Sequence, residues 1–287
     1  MLRRIPPRRL ILSSGGIRVV AQAGALMALE EAGMLRSIKE YIGTSGGALI
    51  SLAPAIGYSV KTLKTFSSRF DFSEIRSLEP ESMLELFSTY GLDTGERLKK
   101  LIVSLLRQKG LSQDITFAEI PSLRIFASDL NTCKVHEYSA KKTPRNSVVL
   151  GVLASTSIPI YFTPVKDPET GHLMVDGAVH NGLALAFLSE EEAASSISIR
   201  FSNTRIENDK IDGFMQFLGQ IFRCVISNRT FEKHKGRVIH ISCGEYPMWN
   251  FEATEEEKEK LIRIGYECTK KFLETDEVVS GIRRNSL

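Results

Sequence analysis

The chain has little cysteine and little net charge. Cys133, Cys224, Cys243 and Cys268 show neither paired metal-ligand spacing nor the density of a disulfide framework. That excludes a disulfide-stapled scaffold and suits a reducing compartment, with the cytoplasm as the expected address. A net charge of +3 is too small to argue for a nucleic-acid partner. Arg3, Arg4, Arg8 and Arg9 cluster at one end, and Arg283 and Arg284 lie near the other. They read as solvated tails, with contact to an anionic membrane surface as the alternative. The apolar run Leu10-Ile11-Leu12 is cut short by Ser13-Ser14-Gly15-Gly16 and Arg18, too soon for a signal peptide. There is no aspartate-rich calcium loop, so no metal or other cofactor is expected. Residues 41–60 carry no charge, a length able to cross a bilayer core. Three early glycines, several serines and Pro54 argue instead for a buried strand and a buried central helix.

What is present is an ordinary globular composition, 43% hydrophobic and 25% charged. No repeat or low-complexity linker interrupts it, so a single domain over residues 1–287 is expected. Strands are predicted at 9–13, 41–42, 123–128, 134–138, 174–175, 195–201 and 237–242. Helices are predicted at 18–32, 48–56, 60–70, 95–108, 147–155, 211–228 and about 254–273, with 71–93 less regular. This alternation predicts an α/β fold: a three-layer α/β/α arrangement with a mostly parallel central sheet.

The pentapeptide Gly43-Thr44-Ser45-Gly46-Gly47 lies between the stub Tyr41-Ile42 and the uncharged helical run. Gly-x-Ser-x-Gly at a strand-to-helix junction is the pattern of a nucleophile elbow. The turn is so sharp that the serine approaches a strained backbone, and only small neighbours let the segments pass. The Gly46 amide then points into the same space as the serine hydroxyl, at a helix N-terminus. A second glycine turn, Ser14-Gly15-Gly16-Ile17-Arg18, comes after the first strand and opens a helix. Its amides suit an anion, either a nucleotide phosphate or the oxyanion of an acyl-transfer intermediate. The spacing fits neither common nucleotide-binding glycine pattern.

A Ser-His-Asp triad would draw its base from His136, His172, His180, His234 or His240. None sits in a loop after a late strand, where a triad histidine is expected. Asp176 ends an apolar strand and is followed by Gly177-Ala178, small enough for close backbone approach. An aspartate within reach of the serine hydroxyl can itself be the base, although at its ordinary pKa of about 4 it is a weak one.

Together these motifs resemble the patatin-like phospholipases, relatives of cytosolic phospholipase A2 that use a Ser-Asp dyad. The glycine turn, the elbow and Asp176-Gly177-Ala178 occur in the family's order and spacing. Ala154-Ser155-Thr156-Ser157-Ile158-Pro159, Phe162-Thr163-Pro164-Val165 and Ala127-Ser128-Asp129-Leu130 add to the likeness, which covers residues 8–245. The resemblance implies Ser45 as nucleophile, Asp176 as base, and Gly15, Gly16 and Gly46 as oxyanion donors. Ser14, Arg18, Gly43, Gly47 and Gly177 become loop support. Ser14 and Val19 stand where the family has glycine; Val19 would obstruct only at a positive φ.

The activity so implied is hydrolysis of fatty-acyl esters, of phospholipase A or lysophospholipase type. The substrate is a membrane phospholipid or another acyl lipid, with peripheral membrane contact. Alternatives are a transacylase or non-phospholipid esterase on the same dyad, or a silent relative that binds membranes or a partner. Met83, Leu84, Leu86 and Phe87, beside Tyr90, form an apolar cluster that reads equally as lipid-facing lid or core. Phe70, Phe72 and Trp249 read as core.

Overall fold

The computed structural model describes residues 6–77, 82–202, 211, 213, 217–221, 224 and 237–280. Along the chain run β1 (Arg9–Leu12), α1 (Val20–Glu31), β2 (Glu40–Thr44), α2 (Gly46–Ala55), α3 (Val60–Arg69), α4 (Ser82–Thr89), β3 (Gly91–Asp93) and α5 (Glu96–Gln108). Next come β4 (Leu123–Asp129), β5 (Lys134–Ser139), α6 (Val148–Thr156), β6 (Ile160–Phe162), β7 (Val165–Lys166) and β8 (Leu173–Asp176). The described elements end with α7 (Glu190–Ala194), β9 (Ser196–Phe201), β10 (Arg237–Ile241) and α8 (Glu255–Ser280). No helix among the described residues is long and apolar enough to cross a membrane.

The main sheet has the order β10-β9-β1-β2-β4-β8-β7, and β10 through β4 are all parallel. β5 and β8 pair antiparallel with β4, so the sheet is mixed but mostly parallel, as the alternation of elements predicts. Strand side chains alternate between faces. Leu10 and Leu12 join the core beneath α1, α3 and α8, while Ile11, Ile42 and Phe126 face residues 183–193 on the other side. The helical cover is therefore uneven. One face carries the long helices; among the described residues the other carries a short 3-10 turn and the five-residue α7. α1 and α8 cross backbone to backbone, because a Cβ at Gly24 would overlap the Ile262 carbonyl and one at Gly265 the Ala21 carbonyl.

Several expectations need correction. Segment 71–93 is more ordered than its composition suggests, holding α4 and β3, and β3 pairs with the unanticipated β6. α1 is shortened because residues 16–19 wind as a 3-10 turn. The predicted helix 211–228 falls largely outside the described residues, of which 217–221 are helical. Phe70, Phe72 and Trp249 are half-buried and pack against the core edge.

β4 is the hub of the sheet. β5 occupies one of its edges over residues 124–129. On the other edge, β2 pairs with residues 123–126 and β8 with residues 127–129. β2 and β8 run toward each other, so their C-terminal ends meet beside Phe126 and Ala127.

Candidate active site

β2 ends at Thr44 and α2 starts at Gly46, so Ser45 alone reverses the chain. Its backbone stands at φ 57 and ψ −134, a conformation that costs a non-glycine residue about 1–3 kcal/mol. The surroundings hold it there. The Ser45 N–H donates to Ser155 Oγ at 2.9 Å, and the Ser155 hydroxyl donates to the Phe126 carbonyl at 2.7 Å. Gly43 and Gly47 supply the room: a Cβ at Gly43 would strike the start of α2, and one at Gly47 the carbonyls that end β1.

Asp176 is delivered by β8 to the same point. Ser45 Oγ donates to Asp176 Oδ2 at 2.6 Å, and the Ala178 N–H donates to Oδ1 at 2.8 Å. The strand end is pinned on both sides, since the Asp176 N–H donates to the Ser157 carbonyl at 2.8 Å and its own carbonyl accepts from Ser128 Oγ at 3.0 Å. Gly177 lets this turn pass against the Phe126 carbonyl and Thr44. Both residues are buried, Ser45 at 8% exposure and Asp176 at 1%. Burial pushes the Asp176 carboxyl up from 3.8 to about 7, against the opposing pull of the Ser45 and Ala178 bonds. The ordinary carboxylate pKa expected from sequence is thus corrected upward, and the cause is burial.

The glycine turn lies against the start of α2, with the Gly16 carbonyl 3.4 Å from the place of a Gly46 Cβ. Among the described residues the Gly15 and Gly16 N–H groups donate to no acceptor. Gly46 is the first residue of α2, where an amide has no intrahelical carbonyl to reach. Gly16 sits at φ 55, and the following Ile17 N–H donates to the Met248 carbonyl at 2.9 Å. Arg18 is buried behind the turn, its Nε donating to the Gly15 carbonyl at 3.4 Å and its guanidinium lying over Phe201 at 5.4 Å. Ser14 holds the turn by its N–H, which donates to the Gly182 carbonyl at 2.7 Å. Its amide is therefore committed to the scaffold rather than to a bound oxyanion. Val19 has φ −58, so its side chain costs the backbone nothing.

Among the described residues no histidine bonds Ser45. His172 pairs with Asp129 at 2.8 Å and His136 lies in β5; His240 is exposed in β10 and His234 lies outside the described residues. His180 contacts Ser128 Oγ at 2.9 Å and the Cys133 carbonyl at 3.0 Å. No three His, Cys, Asp or Glu side chains are grouped to share a metal ion among the described residues. Sequence reading assigned no role to Ser155 or Ser128, which brace the two halves of the site. The local signals were the stretches Ala154-Ser155-Thr156-Ser157-Ile158-Pro159 and Ala127-Ser128-Asp129-Leu130, which add to the family likeness without pointing to these bonds.

Of the apolar cluster near residue 84, Leu84 and Phe87 are at the surface and Leu86 is half-buried. Leu84 and Phe87 of α4 are 84% and 89% exposed, and the Met83 side chain lies outside the described residues. Tyr90, just before β3, and Ile160, which opens its partner β6, are exposed too.

A family model described as patatin-like phospholipase matches residues 10–188. The Bacillus subtilis (strain 168) protein YqhO, described as uncharacterized, is 29% identical over 286 residues, covering 92% of this chain and 97% of its own. A probable lipid hydrolase, 463L of invertebrate iridescent virus 6, is 26% identical over 185 residues, covering 62% of each chain. Among solved structures, VipD from Legionella pneumophila superposes with a TM-score of 0.64 at 16% identity, over 94% of this chain and 67% of its own. That last likeness is one of fold.

Proposed function

The chain belongs to the patatin-like phospholipase family, and from that premise we propose that it is a serine lipid acyl hydrolase of phospholipase A or lysophospholipase type. The observation that carries this reading is the 2.6 Å bond from a strained, buried Ser45 to a buried Asp176. Ser45 Oγ attacks the ester carbonyl carbon while Asp176 takes its proton. The oxyanion is held by the amides of Gly15, Gly16 and Gly46, each such donor being worth about 3 kcal/mol in the transition state. The protonated Asp176 gives its proton to the departing alcohol or lysolipid. Water then attacks the acyl-serine, Asp176 accepts a proton from it, and Ser45 regains its own as the fatty acid leaves. A base with a pKa of about 7 is matched to this task near neutral pH.

The position of the glycine turn against the elbow supports an oxyanion role over a nucleotide phosphate. Arg18, Ser14, Gly43, Gly47 and Gly177 support that geometry. No metal enters any step. The substrate is a membrane phospholipid or another acyl lipid, met from the cytoplasmic side, and the exposed Leu84 and Phe87 supply apolar surface for peripheral contact with the bilayer. Labelling the purified protein and Ser45→Ala with a fluorophosphonate tests the core of the reading. The parent is expected to label and the variant not to. An unlabelled parent would leave a silent membrane- or partner-binding relative, and equal labelling would move the nucleophile elsewhere.

A further inference from the structure

The glycine turn is a run of consecutive peptide planes, each held from its far edge. In a trans peptide the carbonyl and the N–H point opposite ways, so fixing one aims the other. The Ser14 carbonyl, opposite the Gly15 N–H, accepts from Ser13 Oγ at 3.1 Å. The Gly15 carbonyl, opposite the Gly16 N–H, accepts from the Arg18 N–H at 3.2 Å and from Arg18 Nε at 3.4 Å. The Gly16–Ile17 plane is held from the far end of the chain, where its N–H donates to the Met248 carbonyl at 2.9 Å.

Both glycines are pressed against that same C-terminal region. A Cβ at Gly15 would overlap the Phe201 ring, and one at Gly16 the Met248 carbonyl. Phe201 and Met248 lie outside residues 10–188, the stretch that the family model matches. The Met248 carbonyl shares one peptide plane with the N–H and Cα of Trp249, so whatever anchors Trp249 orients this acceptor. Trp249 is half-buried and anchored three times. Its indole lies so close to Gly219 that no Cβ would fit there. Its ring centroid stands 6.4 Å from that of the buried Phe251, and its carbonyl accepts from the Phe251 N–H at 2.9 Å.

We propose that Trp249 is a positioning residue for the oxyanion hole, acting through the Met248 carbonyl on the Gly16–Ile17 plane. The inference rests on the oxyanion role given to this turn above. Gly16 stands at φ 55, a region that glycine enters and leaves freely, so its own torsions do not hold it there. With the Met248 acceptor displaced, this plane can turn and the Gly16 N–H loses its aim. A misplacement of about 1 Å costs roughly a hundredfold in rate. The loss falls on the transition state, because the ester oxygen becomes an anion only as Ser45 attacks.

Trp249→Ala and Trp249→Phe in the full chain test this on p-nitrophenyl butyrate, with active sites counted by fluorophosphonate titration. The alanine variant is expected to lose at least about tenfold in kcat, with KM within about threefold and the pH midpoint unmoved. An alkyl trifluoromethyl ketone, whose adduct with Ser45 places an oxyanion on the turn, should bind more weakly by the same factor. The matching alkyl alcohol should bind as to the parent. The phenylalanine variant keeps an aromatic ring against Gly219 and is expected to recover to within about threefold of the parent. Parental kcat per active site in Trp249→Ala, or a loss of kcat with ketone affinity unchanged, would overturn the proposal. A second measurement does not depend on turnover. Exchange of the Ile17 amide hydrogen is expected to quicken at least about tenfold in Trp249→Ala while the β4 amides keep their parental rates. An unchanged Ile17 rate, or equal acceleration everywhere, would overturn it as well. A parent that hydrolyses no ester and takes no fluorophosphonate would instead refute the hydrolase reading, and the exchange rates would still decide whether Trp249 positions the turn.

Discussion

Two aspartates, equally hidden from solvent, stand at opposite extremes of the same sheet edge. Asp176 ends β8 and Asp167 comes directly after β7, and they are 1% and 0% exposed. Burial acts on both in the same direction, disfavouring the charged form. The difference lies in how deeply each is packed, Asp176 losing more solvation than Asp167, and in the donors. Asp167 accepts from Tyr138 Oη, Asn146 Nδ2, the Glu169 and Thr170 amides and Thr170 Oγ1, at 2.8 to 3.1 Å. Together these outweigh burial and hold its carboxyl below the ordinary range. Asp176 has two donors, the Ser45 hydroxyl and the Ala178 amide, and rises to about 7. A carboxylate solvated by many protein donors is a structural pin. One more deeply buried and with fewer donors takes up a proton more readily, as the proposed base role of Asp176 requires.

The widest separation of the two comes from replacing each by asparagine. Asp176→Asn is expected to lower esterase kcat by about a thousandfold, within the range general-base removal usually costs. Its stability should move the other way. A carboxyl raised from 3.8 to about 7 in the folded state stabilises fully below the unfolded value, and that stability is lost as pH rises through about 7. Asparagine resembles the protonated acid and keeps that contribution, so its Tm at pH 8 should exceed the parent's. Near-parental activity would refute the dyad. Asp167→Asn should do the reverse, destabilising the fold by about 2–3 kcal/mol through its lost charge-assisted bonds. The activity of its folded fraction should stay within a few fold, as urea titration beside active-site labelling would measure.

The pH profile sharpens the pair further. The kcat/KM is expected to fall tenfold per pH unit below about 7, where Asp176 is protonated, while Asp167 leaves no mark there. A profile flat from pH 5 to 8 would contradict the raised carboxyl. The smallest effect belongs to Ser155→Ala, which removes the acceptor of the Ser45 amide without touching either acid. An unsatisfied buried amide costs about 1–3 kcal/mol. Roughly tenfold slower turnover with an unshifted pH midpoint is the expected result, and a shifted midpoint would mean that Ser155 acts through Asp176.

Much of this site could be read along the chain. The elbow is local sterics: Gly43 and Gly47 admit the close passage that a reversing Ser45 needs, and their spacing is visible in one dimension. Asp176 stood out by its place between an apolar strand and two small residues. The braces did not, because Ser155 meets the Ser45 amide from 110 residues away and looks like any serine in a helix. β6 and β7, three and two residues long, are too short for period-two alternation to register. The α4 cluster was undecidable because an apolar stripe at helical spacing has the same pattern whether it meets core or solvent.

By itself, then, the sequence determined the alternation of strands and helices, the elbow motif, the glycine turn and the two residues of the proposed dyad. These depend on neighbours within a few positions, where hydropathy period and backbone sterics act. Tertiary structure alone decided that β2 and β8 meet end to end along one edge of β4, bringing Ser45 within 2.6 Å of a residue 131 positions later. It also decided how strongly Asp176 holds a proton. That quantity is a balance between lost water and the few donors that happen to converge, and no stretch of chain carries it alone.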